Sequence, residues 1–140
     1  MEIEVNYLAI LLSGVSYMFI GFLWYSPVLF GKPWMELMGY SEKKLKEMQK
    51  KMGPLYALSF VAALITAFML SHVTTMSTEV FGYSRLSSGL TSAFFMWLGF
   101  IAPVQMTDVI FGNRPWKLFA INTSYQLSAV VAMGIIIGLL

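Results

Sequence analysis

Asp108 is the only acidic residue inside a predicted apolar span, and it is where chemistry would be expected first. Gln105 lies one helical turn earlier on the same face. Asn122 and Gln126 stand one turn apart on the next apolar run, with Tyr125 beside them, at a comparable depth from the shared turn. A carboxylate in hydrocarbon is costly unless it faces a bundle interior, a water-filled pocket or a cation. Gln105, Asp108, Asn122, Tyr125 and Gln126 are therefore expected to form one polar cluster, able to hold a cation, a proton or a polar solute. The plainer expectation is that Asp108, close to the membrane boundary, pairs with Arg114 or Lys117 and fixes the turn. That reading is preferred, because a boundary carboxylate costs far less than a central one.

The remaining chemistry-bearing residues form no recognisable constellation. His72, with Met69 and Met76 nearby, invites a copper reading, but one histidine and scattered methionines lack a defined ligand geometry, so no metal and no cofactor are expected. The chain has no cysteine, which excludes thiolate metal sites and disulfides. No nucleophile is paired with a base and no loop is built to cradle phosphate, so the chain is not expected to be an enzyme. Trp24, Tyr25, Trp34 and Trp116 read as interfacial aromatic belts rather than a ligand pocket.

These residues must be positioned by membrane helices. Apolar residues make up 58% of the sequence and charged residues 11%, more apolar surface than a soluble domain of this size could bury. The expected architecture is all-α and polytopic: a single four-helix transmembrane domain over 1–140, with spans at about 5–27, 54–76, 86–111 and 116–140. Pro27 should end or kink the first span, and Pro103, one turn after Gly99, should kink the third. On the second span Ser59, Ala63, Ala67 and Ser71 recur every four residues, and this ladder is expected to be the most tightly packed helix face. Residues 74–85 read as a mildly polar loop. Asn6 should cap or hydrogen-bond at the boundary of the first span.

Between the first two spans, Ser41 is placed to cap a short amphipathic helix with Leu45, Met48 and Met52 on one stripe and lysines elsewhere, suited to an anionic lipid surface. Lys32, Lys43, Lys44, Lys46, Lys50 and Lys51 lie in this connection, and Arg114 and Lys117 in the one between spans three and four; only Arg85 lies elsewhere. The positive-inside rule puts both basic connections in the cytoplasm and both termini outside a cytoplasmic membrane. Basic residues this close to membrane boundaries give no support to nucleic-acid binding.

Both basic connections open on one motif. Phe30-Gly31-Lys32-Pro33-Trp34 returns as Phe111-Gly112-Asn113-Arg114-Pro115-Trp116. Two tandem helix pairs related by an axis along the membrane normal would produce it, and so would convergence on interfacial turn chemistry. Asn6-Tyr7, Gly21, Leu23-Trp24-Tyr25-Ser26-Pro27, Phe30-Gly31-Lys32 and Trp34, together with Arg114-Pro115-Trp116-Lys117-Leu118-Phe119, Ile121-Asn122 and Tyr125, resemble an uncharacterised family of small bacterial and archaeal membrane proteins, a domain of unknown function. The resemblance implies a four-helix membrane domain and supplies no catalytic residues. The functional expectation is a self-associating structural or interaction bundle with membrane lipid and its own copy, as a dimer, for partners. The alternative is an oligomeric small-solute or ion pathway around Asp108.

Overall fold

The computed structural model describes residues 2–140 and is all-helical; Met1, the first residue of the short acidic stretch, lies outside them. In chain order the helices are α1 (Tyr7–Trp24), α2 (Gly31–Met38), α3 (Glu42–Gln49), α4 (Met52–Phe81), α5 (Arg85–Met96), a π-helical turn (Trp97–Ile101), α6 (Ala102–Phe111) and α7 (Trp116–Leu139). With α5, the π turn and α6 forming one continuous rod, four helices are long and apolar enough to cross a membrane.

The four rods form an antiparallel bundle. α1 packs on α4, α4 on α5, α5 on α7 and α7 back on α1, while α7 also meets α4 across the centre. Glycine sets the closest approach. A Cβ on Gly134 would lie 2.5 Å from the carbonyl oxygen of Gly89 and 3.0 Å from Ala93 Cβ, and a Cβ on Gly89 would collide with the Gly134 carbonyl. One turn further on, a Cβ on Gly138 would lie 2.7 Å from Leu86 Cα. The tightest surface is therefore the α5–α7 crossing, not the α4 ladder. Of that ladder, Ala63, Ala67 and Ser71 are buried inside the bundle, and Ser59 is exposed.

Asn6 accepts from the Ala9 backbone N–H at 3.1 Å, capping α1, and its amide donates to the Leu140 carbonyl at 3.3 Å. Residues 6 and 140 therefore share one end of the bundle, where Arg85 Nε also donates to the Ile137 carbonyl at 3.1 Å. Toward this end the core is dense: Ala67, Leu70, Ala93, Met133 and Ile137 are fully buried.

Several local outcomes differ from the sequence reading. The expected loop over 74–85 shrinks to three residues, because α4 continues to Phe81. Thr75 and Thr78 hydroxyls donate back to the carbonyls of Ser71 and Thr74, which satisfies them within the helix. Only Gly82, left-handed at φ 67°, stops the helix, and Ser84 caps α5. At the other end, α2 is an additional helix. Pro33 is its third residue, where the missing N–H has no intrahelical partner to lose. Before Pro103 the helical turn containing Gly99 widens into a π turn, with the Ala102 N–H reaching the Trp97 carbonyl. Ser41 does cap α3, but Met52 belongs to α4 rather than to the α3 stripe.

The two Phe-Gly…Pro-Trp copies fold differently. Gly31 opens α2 and is buried against the Tyr25–Ser26 backbone, where a Cβ would lie 2.5 Å from the Tyr25 carbonyl oxygen. In the second copy Asn113, not Gly112, takes the left-handed conformation, at φ 49°, and the Arg114 N–H closes α6 by donating to the Val109 carbonyl at 3.0 Å.

Replacing Gly134 by leucine should force α5 and α7 apart and lower stability by at least the ~1–3 kcal/mol typical of overpacking, read as a lower thermal midpoint in detergent. Gly99→Ala, where a Cβ meets nothing within 4 Å, should leave the midpoint unchanged or raise it.

Candidate functional site

At the α2–α3 end the rods carry a band of tyrosine, tryptophan and amide side chains. Tyr17, Gly21 and Tyr25 fall four residues apart and line one face of α1. Opposite them, α7 presents Ile121, Asn122, Tyr125 and Gln126. Tyr25 donates to Asn122 Oδ1 at 2.7 Å, and Tyr125 donates to the Tyr17 carbonyl at 3.2 Å. Gln126 Nε2 donates to the Tyr17 hydroxyl at 2.8 Å. The rings interlock as well: Tyr125 has its centroid 5.3 Å from both Tyr17 and Tyr25. Gly21 makes room, since a Cβ there would lie 2.9 Å from the Tyr125 hydroxyl.

Two indoles reinforce the same helix. Trp24 Nε1 donates to the Ile121 carbonyl and Trp97 Nε1 to the Thr123 carbonyl, each at 3.0 Å. Trp24 therefore works as a cross-helix anchor rather than only as a belt residue. Tyr25 and Trp34 pack edge to face at 5.4 Å and line a cavity, and Trp116 lies exposed beside Phe119.

The sequence-predicted cluster is thus divided. Asn122, Tyr125 and Gln126 come together, but with Tyr17 and Tyr25 of α1. Asp108 is exposed on the outer surface of α6, and Gln105 has a buried side-chain oxygen without a hydrogen-bond partner. The expected pairing of Asp108 with Arg114 is replaced: the Arg114 guanidinium points to Met38 Sδ at 3.6 Å, tying the α6–α7 turn to α2. The physical reason is angular. Residues equidistant from a turn share depth, yet only the helix rotation fixed by the glycine crossing decides which faces meet. Tyr17 and Trp97 escaped the sequence reading because a lone aromatic in an apolar run looks like filler; the Tyr17–Gly21–Tyr25 spacing was the available signal. His72 bonds within its own helix, with Nδ1 2.8 Å from the Phe68 carbonyl.

Beside this band α1, α4 and the two short helices line a cavity of about 490 Å³. Tyr17, Gly21 and Tyr25 form one wall, Tyr56 and Ser59 the other, and Trp34 with Leu45 closes the α2–α3 side. Phe22 and Tyr56, both exposed, pack at 5.2 Å across its mouth. The lining contains no charged side chain. Such a site offers ring faces and neutral hydrogen-bonding oxygens, a chemistry of binding.

A double-mutant cycle with Tyr25→Phe and Asn122→Leu should give a coupling of about 0.6 kcal/mol, and at most about 1.7, the range found for hydrogen bonds between membrane helices. Additive losses in thermal unfolding would mean that this bond does not hold α1 to α7.

No curated protein and no solved structure matches the chain. One family model does, over residues 8–138, nearly the whole length. The match takes in Gly21, residues 23–34 and residues 114–125, while Asn6 and Tyr7 lie just before it. The chain belongs to the family described as Protein of unknown function (DUF1761).

Proposed function

We propose that this protein is a non-catalytic interaction bundle of the cytoplasmic membrane. In this reading it self-associates, rests its lysine-rich α2–α3 segment on the inner leaflet and carries both ends of the chain outside. The observation that carries the reading is the position of Asp108. Most of the hydrogen-bonding side chains above turn toward another helix of the same chain, whereas this carboxylate lies on the outer wall of α6. It stands three residues before the end of the helix, about 4.5 Å along its axis, where an outward carboxylate must be met by headgroups or by polar groups of a second copy. Two copies paired about a two-fold axis would bring the same face of each together.

The small-residue faces lend this less support than the sequence suggested, since Ala63, Ala67, Ser71, Gly89 and Gly134 are buried within one bundle. The same outward carboxylate favours one alternative, an ion or small-solute pathway between protomers lined by several copies of Asp108. Orientation rests on charge. Lys43, Lys44, Lys46 and Lys50 are exposed on and just beyond α3 while Leu45 and Met48 are half-buried, an arrangement suited to anionic headgroups below and acyl chains above.

Native mass spectrometry of the protein in nanodiscs should show a dimer that Asp108→Leu weakens or shifts to another stoichiometry; a monomer at every concentration overturns the reading. Proton or cation flux that the wild type carries and Asp108→Asn loses would establish the pathway instead. Because the chain is free of cysteine, single substitutions report topology directly. Tyr83→Cys should react with an impermeant maleimide in intact cells, and Lys43→Cys only after lysis; the opposite pattern reverses the orientation.

A further inference from the structure

The π turn leaves backbone acceptors without helical partners in the middle of a membrane span. The Leu98 carbonyl would ordinarily take an N–H from four or five residues ahead. Here the Ala102 N–H goes to Trp97, and Pro103, the next residue, has no N–H. Pro103 is also the residue from which the Gly99 carbonyl would draw its α-helical bond. Both carbonyls lie near the midpoint of the 27-residue rod from Arg85 to Phe111, at a depth that headgroups and water do not reach. Hydrocarbon supplies no donor, and a freed backbone group there is tolerated where protein covers it. Within the described chain nothing covers Gly99. Leu98 is 48% exposed and Phe100 74%, and a Cβ on Gly99 would meet nothing within 4 Å. The exposed wall continues down the same rod. Gly99, Pro103 and Thr107 follow at four-residue spacing, with Phe100, Val104 and Asp108 as the neighbouring row, and all six are exposed. Thr107 already donates to the Pro103 carbonyl, so it brings no donor to the turn above.

We propose that this wall is the seam between two copies of the chain, which cross at Gly99. The inference rests on the self-association reading above and names the surface that association uses. A two-fold axis along the membrane normal sets identical residues at identical depth. Gly99 of one copy then faces Gly99 of the other, and the missing Cβ lets the two backbones approach closely. At that distance the glycine Cα–H groups of each copy reach the open carbonyls of the other, a contact that recurs at helix–helix interfaces. The occupant is a second copy because self-pairing brings this donor to the required depth, which acyl chains do not. Phe100, Val104 and Asp108 flank the crossing, so the axis holds the two carboxylates on opposite sides of the seam.

The test places single cysteines in the cysteine-free chain and follows disulfide formation in phosphatidylcholine vesicles. Phe19 and Val61, exposed on α1 and α4, serve as comparison positions. Gly99→Cys should cross-link two copies about 10-fold faster than Phe19→Cys or Val61→Cys, because a disulfide needs its Cα atoms within about 7 Å. Gly99→Leu should weaken the dimer about 5- to 150-fold in a dilution series read by native mass spectrometry, as overpacking of a close helix contact does. Its circular dichroism should stay unchanged, since the added side chain meets nothing in its own bundle. Val104→Trp, on the adjoining row of the same wall, is the second blocking variant should the first not fold. A dimer that cross-links no faster at position 99 than at 19 or 61 overturns this seam and leaves self-association standing. So does a dimer that the blocking variants leave undiminished. A protein that is monomeric at every dilution overturns both.

Discussion

The contact between the backbones of Gly89 and Gly134 sets the geometry of the bundle. Between helices surrounded by acyl chains, apolar burial contributes little, so van der Waals contact between closely approaching backbones must supply much of the association. Only residues without a Cβ allow the approach that α5 and α7 make. Once that crossing is fixed, α7 stands at the centre and meets the other three rods. The alanines of α4 and the glycine at position 14 then pack as consequences of it. Gly14, for instance, faces Leu64 and Phe60, whose side chains come within 2.8 and 3.1 Å of where its Cβ would stand.

Tight packing at one end leaves the other end to a different kind of adhesion. Toward the α2–α3 end the side chains become tyrosine, tryptophan and amides, and helix contact is carried by hydrogen bonds as well as by packing. Trp24 and Trp97 use carbonyls of α7 that already serve its helical ladder, which lets a large aromatic anchor two helices without leaving its N–H unpaired. Buried hydroxyls of Ser13, Thr74 and Ser88 stand without such partners. They lie toward the dense end, where small side chains are needed for fit and the hydroxyl is the cost of it. At the α2–α3 end the rings of Tyr17, Tyr25 and Tyr125 stand opposite the small side chains of Ser59 and Ala62 on α4, with open space between them. The cavity is the geometric remainder.

The two Phe-Gly…Pro-Trp stretches show how little a short motif says about the local fold. In the first, Gly31 lets α2 start against the turn that follows α1; in the second, the reversal is made by Asn113 and the Arg114 N–H. The preceding residues decide. Ser26-Pro27 opens a turn in which the Phe30 and Gly31 N–H groups reach back to Trp24 and Ser26, whereas α6 runs helical up to Phe111 and must be closed at once.

Composition and periodicity by themselves determined the number of apolar rods, their approximate limits, the Ser41 cap and the presence of a short helix in the lysine-rich connection. These are local quantities, set by the length of uncharged chain and by capping chemistry that acts within four residues. The extent of α4, the π turn before Pro103 and the existence of α2 were less legible. Each depends on whether a backbone group finds a partner a turn away, and weak breakers such as threonine do not announce that. The candidate site was legible in part, as Asn122, Tyr125 and Gln126 on one helix. Their partners Tyr17 and Tyr25, and the exclusion of Asp108 from the group, were decided only in three dimensions. Helical spacing fixes which residues share a face, while the rotation of that face toward a neighbour is set by contacts as distant in sequence as Gly89 and Gly134.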